Sequence, residues 1–330
     1  MKNWHRKKTL LSFFFVFVFS IFFIHIPLSN AQFQRLGSDV AHIELTPTYP
    51  EAEKPFTARL ADYTNALGSG KLTWYVDGVL QKDKGDASSI TLTAPRMGTP
   101  MVVEARRESM TRSHTSVDMR FVPGSIDIIT EGDTKVPYFY EGRKIPALGT
   151  NVRLIAIPHL YDAKGREIPS SKITYTWNVD NVNVSIGGGP ILETKISEMG
   201  SPLVLLTANA PEYQMHYETV FTMETAEPTL QFYALNPLTG LSRNALQDAY
   251  LHAKDEVTVR AETYGIANNI YDNAKYGWNI NGTDVTNGNN DPELVTLRKQ
   301  GGGGASDVSF SVRNLAALSQ YAYGLFRLEF

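Results

Sequence analysis

Trp74-Tyr75-Val76-Asp77-Gly78 is the stretch of sequence that decides the fold, because the chain repeats its pattern twice. Trp177-Asn178-Val179-Asp180-Asn181 and Trp278-Asn279-Ile280-Asn281-Gly282 have the same order: a tryptophan, a polar residue or tyrosine, a β-branched residue and a turn pair. The tryptophans lie 103 and 101 residues apart, a period that indicates repeated domains and exceeds that of solenoid repeats. The sequence therefore predicts three copies of one module.

Each copy of this stretch predicts a central strand with a buried tryptophan. Alternate residues of a strand point to opposite faces, so Trp74 and Val76 share the face that is buried. Asp-Gly and Asn-Gly pairs tolerate the positive φ of tight hairpin turns, so the strand is expected to reverse direction immediately afterwards. Trp74, Trp177 and Trp278 are thus the predicted structural core residues of their modules.

A second repeated stretch follows the first two tryptophans. Met97-Gly98-Thr99-Pro100-Met101 recurs as Met199-Gly200-Ser201-Pro202-Leu203, and both lead into an apolar strand. Short alternating strands separated by turn residues favour a sandwich over helical or parallel α/β folds. The predicted fold class is all-β, with three tandem immunoglobulin-like β-sandwich domains after an N-terminal signal or anchor helix. One further short helix is expected near Leu241 to Ala253.

The first 31 residues have the order of a secretory signal peptide. Basic residues are followed by an apolar run from Leu10 to Ile24, and Ser29 and Ala31 occupy the small-residue positions before a cleavage site. The apolar run approaches the length of a membrane span, so an uncleaved anchor is the alternative. Either arrangement places the remainder outside the cytoplasm, secreted or attached to the cell envelope.

Turn residues mark the expected boundaries between the modules, near Pro123-Gly124 and Glu227-Pro228. Both junctions are short, so neighbouring modules are expected to touch and to form a semi-rigid rod. The predicted divisions are residues 1–31 for the leader and residues 32–122, 123–226 and 227–330 for immunoglobulin-like domains 1, 2 and 3.

The composition excludes several classes of function. Without residues 1–31 the chain has 27 Lys/Arg against 34 Asp/Glu, a net charge of −7, which gives no electrostatic basis for binding nucleic acid or anionic lipid. The absence of cysteine excludes disulfides, thiol catalysis and Cys-ligated zinc sites. We therefore expect no nucleic-acid partner, and contact with a membrane only through the N-terminal segment.

No pattern in the sequence predicts an active site. The nucleophile elbow G-x-S-x-G, the zinc helix H-E-x-x-H and the P-loop are absent, and the histidines are scattered. The oxygen-rich stretch from Asp284 to Asp291 lacks the spacing of a calcium loop, so a polar hairpin loop is the simpler interpretation. No catalytic, cofactor-binding or metal-binding residue is predicted, and the chain is expected not to be an enzyme.

An insertion in the second and third modules is the most distinctive candidate for a binding surface. The interval between the starts of the first and second core strands is 13 residues in the first module but 26 and 27 residues in the others. Exposed aromatic and arginine side chains are strong contact anchors in interfaces. The alternative is that the insertions cover a sandwich edge or pack on the adjacent module. The candidate partner contacts are Tyr138, Phe139, Tyr140, Arg143, Leu238 and Tyr250.

The repeated tryptophan strand resembles the immunoglobulin-like and PKD-like modules of bacterial envelope proteins. The wider layout, with stretches such as Tyr175-Thr176-Trp177 and Asn236-Pro237-Leu238, is similar to an exported protein family of candidate-phylum bacteria. The chain lacks the Gly-Asp-Gly turn of typical PKD modules, so the broader immunoglobulin-like description fits better. The resemblance implies a fold and no activity.

These observations predict an exported, non-catalytic protein of the cell envelope that acts as a structural or adhesive rod. Its expected partners are an envelope protein, a surface polymer or a neighbouring copy, and no cofactor is expected. A docking subunit of a pilus or secretion apparatus is the main alternative. An accessory carbohydrate-binding protein is a further one.

Overall fold

The computed structural model describes residues 41–108, 114–246, 250–253, 255–270, 273–286 and 290–330. The predicted leader, residues 1–31, lies outside these ranges. No stretch of helix in the described residues combines the length and the apolar character that crossing a bilayer requires. The regular structure of the described residues is almost entirely β, in six sheets.

The first module is a sandwich of two antiparallel sheets. Its strands are, in chain order, β1 (His42–Thr46), β2 (Pro55–Ala61), β3 (Lys71–Val76), β4 (Val79–Leu80), β5 (Ser89–Thr93), β6 (Met101–Glu108) and β7 (His114–Phe121). One sheet has the strand order β1-β2-β5 and the other the order β4-β3-β6-β7. The tryptophan strand β3 and its hairpin partner β4 therefore belong to the four-stranded sheet.

The second module repeats this arrangement. Its strands are β8 (Ser125–Gly132), β9 (Asn151–His159), β10 (Thr174–Val179), β11 (Val182–Gly188), β12 (Ile191–Lys195), β13 (Leu203–Ala210) and β14 (Met215–Thr222). The sheets have the orders β12-β9-β8 and β11-β10-β13-β14. Strand for strand, this is the topology of the first module.

The third module has the same core with two additional short strands. Its strands are β15 (Thr229–Asn236), β16 (Gly240–Leu241), β17 (Tyr250–His252), β18 (Glu256–Tyr264), β19 (Ala274–Ile280), β20 (Thr283–Val285), β21 (Leu294–Arg298), β22 (Ala305–Asn314) and β23 (Tyr321–Glu329). The sheets have the orders β16-β15-β18-β21 and β17-β23-β22-β19-β20. The added strands β16 and β17 lie at the edges of the two sheets.

The three modules are immunoglobulin/fibronectin-III-like sandwiches arranged in tandem. In each, the tryptophan strand pairs with the next strand in a tight hairpin and with the penultimate long strand of the module on its other side. Three separate clusters of buried apolar residues fill the modules, one between each pair of sheets. The exact divisions at residues 122 and 226 stay predictions.

The tryptophans occupy equivalent places in the three cores. Trp74 and Trp177 are 0 % exposed, and Trp278 is 2 % exposed. Each indole Nε1 donates a hydrogen bond to a backbone carbonyl that lies two residues before the next strand of the opposite sheet. The acceptors are the carbonyl oxygens of Ala87, Gly189 and Pro292, at 2.8, 3.4 and 2.9 Å.

The short helix expected near Leu241 to Ala253 is wrong for the described residues of that segment. β17 pairs in parallel with the end of β23, and the amide of Leu246 donates to the carbonyl of Phe232 at 2.9 Å. Leu246 and Ala253 pack on the core of the third module from this extended chain. Their side chains are apolar because this segment covers the edge of the sandwich. A buried helix face has the same residue types, so the sequence pattern does not distinguish the two.

We predict that Trp74→Phe destabilises the first module by about 2 kcal/mol, because it leaves the carbonyl of Ala87 without its buried donor. Trp177→Phe removes the same ring atoms, but its hydrogen bond is longer, so a smaller loss is expected in the second module. Chemical denaturation monitored on each variant measures the difference. Equal losses would contradict a stabilising role for the indole hydrogen bond.

Candidate interaction surfaces at the module junctions

The insertion of the second module packs on the third module. We call residues 133–150, between β8 and β9, the insertion loop. Thr134 forms an antiparallel bridge with Ala267, and the amide of Lys135 donates to the carbonyl of Ile266 at 2.6 Å. The side chain of Asn268 donates to the carboxylate of Asp133 at 2.7 Å. The loop is therefore joined to the segment that follows β18 in the third module.

Aromatic rings extend this contact over the outer face of the third module. The ring of Phe139 packs edge-on against Tyr233 at 5.4 Å, and the ring of Tyr140 packs against Tyr264 at 6.0 Å between centroids. The hydroxyl groups of Tyr233 and Tyr264 are hydrogen-bonded at 2.7 Å. Phe232 points into the core of the third module, so the next residue of β15, Tyr233, points to the outer face of its sheet. Tyr233 is nevertheless buried, which shows that the insertion loop covers the outer side of β15.

Buried charges lie at the centre of the same junction. Lys135 donates to both carboxylate oxygens of Glu293, and their side chains are 12 % and 2 % exposed. Arg260 donates to Glu262 at 2.6 Å, to Asp291 at 2.7 Å and to Glu293 at 3.3 Å. Lys135 comes from the second module and the other four residues come from the third, so this ion-pair network crosses the junction.

Burial sets the electrostatics of the network. Burial raises the pKa of Glu293 above its ordinary value, and the cations Lys135 and Arg260 only partly oppose this shift. Burial also disfavours the charge of Arg260, but the carboxylates of Glu262 and Asp291 outweigh it and raise the pKa of the guanidinium. With three carboxylates facing two cations, each cation is needed to keep the buried negative charges compensated.

A second contact lies beside the first, because the amide of Ala267 also donates to the side chain of Gln320 at 3.0 Å. In the loop between β22 and β23, the side chains of Ser319 and Gln320 donate hydrogen bonds to the carbonyl of Leu148 in the insertion loop, at 3.2 and 3.0 Å. The amide of Leu318 donates to the carboxylate of Glu198 at 2.9 Å. Two loops of the third module thus hold the second module.

The candidate partner contacts divide into packed and open side chains. Phe139 and Tyr140 contact the third module, although Tyr140 stays 39 % exposed, and the hydroxyl of Tyr140 donates to the carbonyl of Arg143 at 3.2 Å. Tyr138 and Leu238 are 75 % and 94 % exposed. The side chain of Arg143 is also exposed. Tyr250 begins β17, but its side chain lies outside the described residues.

The first and second modules meet at a tyrosine-lined cleft of about 410 Å³. The rings of Tyr49 and Tyr217 are 4.8 Å apart across it, and Tyr161 and Tyr213 also line it. Burial raises the pKa of Tyr49 to about 12, with Glu218 and Tyr217 adding to the shift. The exposed side chain of Arg120 lines the same cleft.

The sequence contains no local signal for the residues that join the modules. Lys135 and Glu293 are 158 residues apart, and the four cleft tyrosines lie in different loops and strands. No cluster of His, Asp or Glu in the described residues has the grouping of a metal site. In the stretch considered for calcium, Asp291 pairs with Arg260, and Asn287 and Asn289 lie outside the described residues.

No protein-family model matches the chain, and no curated protein matches it. Three solved structures are similar over most of its length. The mixed-linkage glucan utilization protein SGBP-B of Bacteroides ovatus, in complex with a mixed-linkage heptasaccharide, is 12% identical, with 88% of this chain and 70% of that chain covered and a TM-score of 0.24. Immunoglobulin domains 1–5 of Sidekick-1 are 13% identical, with 85% and 56% covered and a TM-score of 0.29.

The third structure is the central fibronectin-III array of RIM-binding protein, which is 12% identical, with 88% of this chain and 98% of that chain covered and a TM-score of 0.27. Similarities at these TM-scores carry no inference about what the chain binds. The immunoglobulin/fibronectin-III-like class rests on the sheets described above. The resemblance to an exported family of candidate-phylum bacteria stays a prediction.

We predict that Lys135→Met destabilises the junction by about 3 kcal/mol at neutral pH, because it leaves Glu293 buried with one cation fewer. Thermal unfolding followed by calorimetry measures the loss. The matched control is Lys172→Met, which removes an exposed pair with Glu212 and should change stability by less than about 1 kcal/mol.

The same variant has a predicted pH dependence. The raised pKa of Glu293 means that the folded state binds this proton more tightly than the unfolded state, so protonation favours folding. The defect of Lys135→Met should therefore be largest at neutral pH and should shrink as the pH falls through the raised pKa of Glu293, which lies above the ordinary carboxyl value. A defect that is constant across this range would contradict the assignment of Lys135 as the main counter-ion.

Proposed function

We propose that the chain is an exported, non-catalytic protein of the cell envelope, in which three sandwiches form a rod that presents a contact surface. The junction between the second and third modules is the observation that supports this proposal most directly. Relative motion is the default between domains unless their interface is extensive and well packed. Here, bending would separate Lys135 from Glu293 and Phe139 from Tyr233, so the two modules act as one stiff unit.

The contact surface in this proposal consists of open side chains on the insertion loop and on the third module. Tyr138 is held on the insertion loop by an edge-on contact with Phe139 at 5.1 Å, while most of its ring faces solvent. Leu238 lies in the turn between β15 and β16. Large side chains on short, well-supported turns lose little entropy on binding, which suits them to anchor an envelope protein or a surface polymer.

The alternative role as a docking subunit of a pilus or secretion apparatus uses the same surface. In that role, Tyr138 and Leu238 would contact another subunit of the assembly instead of an independent ligand. A stiff pair of modules suits both roles, because each requires a contact surface at a fixed orientation. The two roles differ in the partner that is recovered.

Carbohydrate binding is a second candidate, and the cleft between the first and second modules favours it. Ligand sites occur preferentially at domain interfaces and combine aromatic walls with a few polar groups. Four tyrosines supply the walls, and Arg120 supplies a donor for hydroxyl oxygens. Titration calorimetry with soluble envelope polysaccharides should then show binding that Arg120→Ala weakens. Arg96→Ala, at an exposed site outside the cleft lining, is the matched control.

The experiment for the main proposal combines cell fractionation with affinity capture. The intact chain should be recovered with the envelope or the medium, whereas a chain that begins at Gln32 without residues 1–31 should stay in the cytoplasm. Recovery of the intact chain from the cytoplasm would contradict export.

Capture from native envelopes then tests the contact surface. We expect the double variant Tyr138→Ser with Leu238→Ser to lose the envelope component that the unmodified chain retains. Met199→Ser is the matched control, because it removes an equally exposed apolar side chain elsewhere on the second module. A partner set that is unchanged in the double variant would remove this surface from the proposal.

A further inference from the structure

The two junctions between modules are held by different kinds of contact. Ion pairs and side-chain hydrogen bonds cross the second junction, with Lys135 and Glu293 at its centre. In the ranges that the structure describes, neither kind of bond joins the first module to the second. There, the amide of Gly98 donates a backbone hydrogen bond to the carbonyl of Pro123, in the linker itself, at 3.1 Å. The described contacts of the first junction therefore lack the directional side-chain bonds that fix the second.

Rings and backbone pack directly against each other at the first junction. The rings of Tyr49 and Tyr217 are in contact, with their centroids 4.8 Å apart. A Cβ atom added to Gly165 would lie 2.3 Å from the carbonyl oxygen of Gly98, so the two loops touch through their backbones. Contacts of this kind are not directional, whereas hydrogen bonds weaken steeply when their angles change. Tilting the first module against the second therefore costs less than tilting the third.

The cleft at the first junction has walls from both modules. Tyr49 and Arg120 line it from the first module, and Tyr161, Tyr213 and Tyr217 line it from the second. Tilting one module against the other moves these two walls relative to each other. A ligand that contacts both walls consequently binds best to the orientation in which they fit it. By linkage, the binding of that ligand and the angle between the modules influence each other.

We propose that the first junction is a pivot, and that a saccharide bound in the tyrosine-lined cleft locks it. This lock rests on the candidate carbohydrate site proposed above and adds its regulation. Without ligand, the first module tilts on the stiff unit formed by the second and third modules. With ligand, the tyrosine walls close on the sugar rings, and the exposed Tyr138 and Leu238 take a fixed orientation relative to the first module.

Distances between spin labels test the pivot directly, since the full chain contains no cysteine that would compete for the label. Val79, Ile186 and Thr283 are exposed positions on the equivalent hairpin strands β4, β11 and β20. In the ligand-free protein, the pair Val79→Cys with Ile186→Cys should give a broad distance distribution, because it spans the first junction. The pair Ile186→Cys with Thr283→Cys spans the second junction and should give a narrow one. Equal widths would overturn the pivot.

The probe for the lock is soluble polysaccharide extracted from the native envelope, the same material as in the calorimetric titration. At a saturating concentration, it should narrow the distance distribution across the first junction. The distribution across the second junction should stay unchanged, because that junction is already fixed. A polysaccharide that binds but leaves the first distribution broad would overturn the lock.

Gly165→Ala tests the coupling without changing a residue that lines the cleft. Its Cβ atom must move away from the carbonyl of Gly98 and should shift the mean distance across the first junction. The matched control is Gly200→Ala, because Gly200 has a similar positive φ, +83° against +78°, and no atom within 4 Å of the added carbon. Affinity for the polysaccharide should fall about tenfold in Gly165→Ala, within the roughly 5–150-fold range of coupled sites, and should stay unchanged in Gly200→Ala.

Failure of the lock and failure of the carbohydrate site give different results. If the polysaccharide does not bind the unmodified chain, the site and its lock are both wrong, and the widths of the two distributions decide whether the junction pivots. If it binds but Gly165→Ala and Gly200→Ala weaken binding equally, the site stands and the coupling is overturned. Both label pairs keep the native glycines, so they decide the pivot even if Gly165→Ala does not fold.

Discussion

The hydrogen bond from each buried indole to the opposite sheet is the constraint on which the modules depend. A tryptophan ring fills a large part of a small core, but its N–H group must find a partner when water is removed. In all three modules, that partner is a carbonyl two residues before the strands β5, β12 and β21. The ring therefore fills the space between the sheets, and the N–H group fixes where the opposite strand begins.

Because each core is complete in itself, the outer surfaces are free to differ between modules. The second module uses this freedom for the insertion loop, which covers β15 and brings Lys135 to Glu293. The first module uses it for one wall of the tyrosine-lined cleft. The modules are alike inside, and the properties that distinguish them lie on their faces and at their junctions.

The sequence was sufficient for the fold class, because period, alternation and turn pairs are local signals around Trp74, Trp177 and Trp278. It was insufficient where the outcome depends on distant partners. The residues around Phe139 would be the same whether its ring were exposed or packed on Tyr233. Likewise, no residue near Lys135 in the sequence indicates that it pairs with Glu293, which is 158 residues away. The helix expected near Leu241 to Ala253 is wrong for the described part of that segment, because apolar residues that cover a sandwich edge have the same composition as a helix face.

Hydrogen exchange of the indole N–H groups, followed by proton–nitrogen NMR, tests the central claim most directly. Three resonances, from Trp74, Trp177 and Trp278, should exchange slowly, each at a rate set by the opening of its own module. Exchange of any of the three at the rate of a free indole would show that its ring does not join two packed sheets, and would contradict the account.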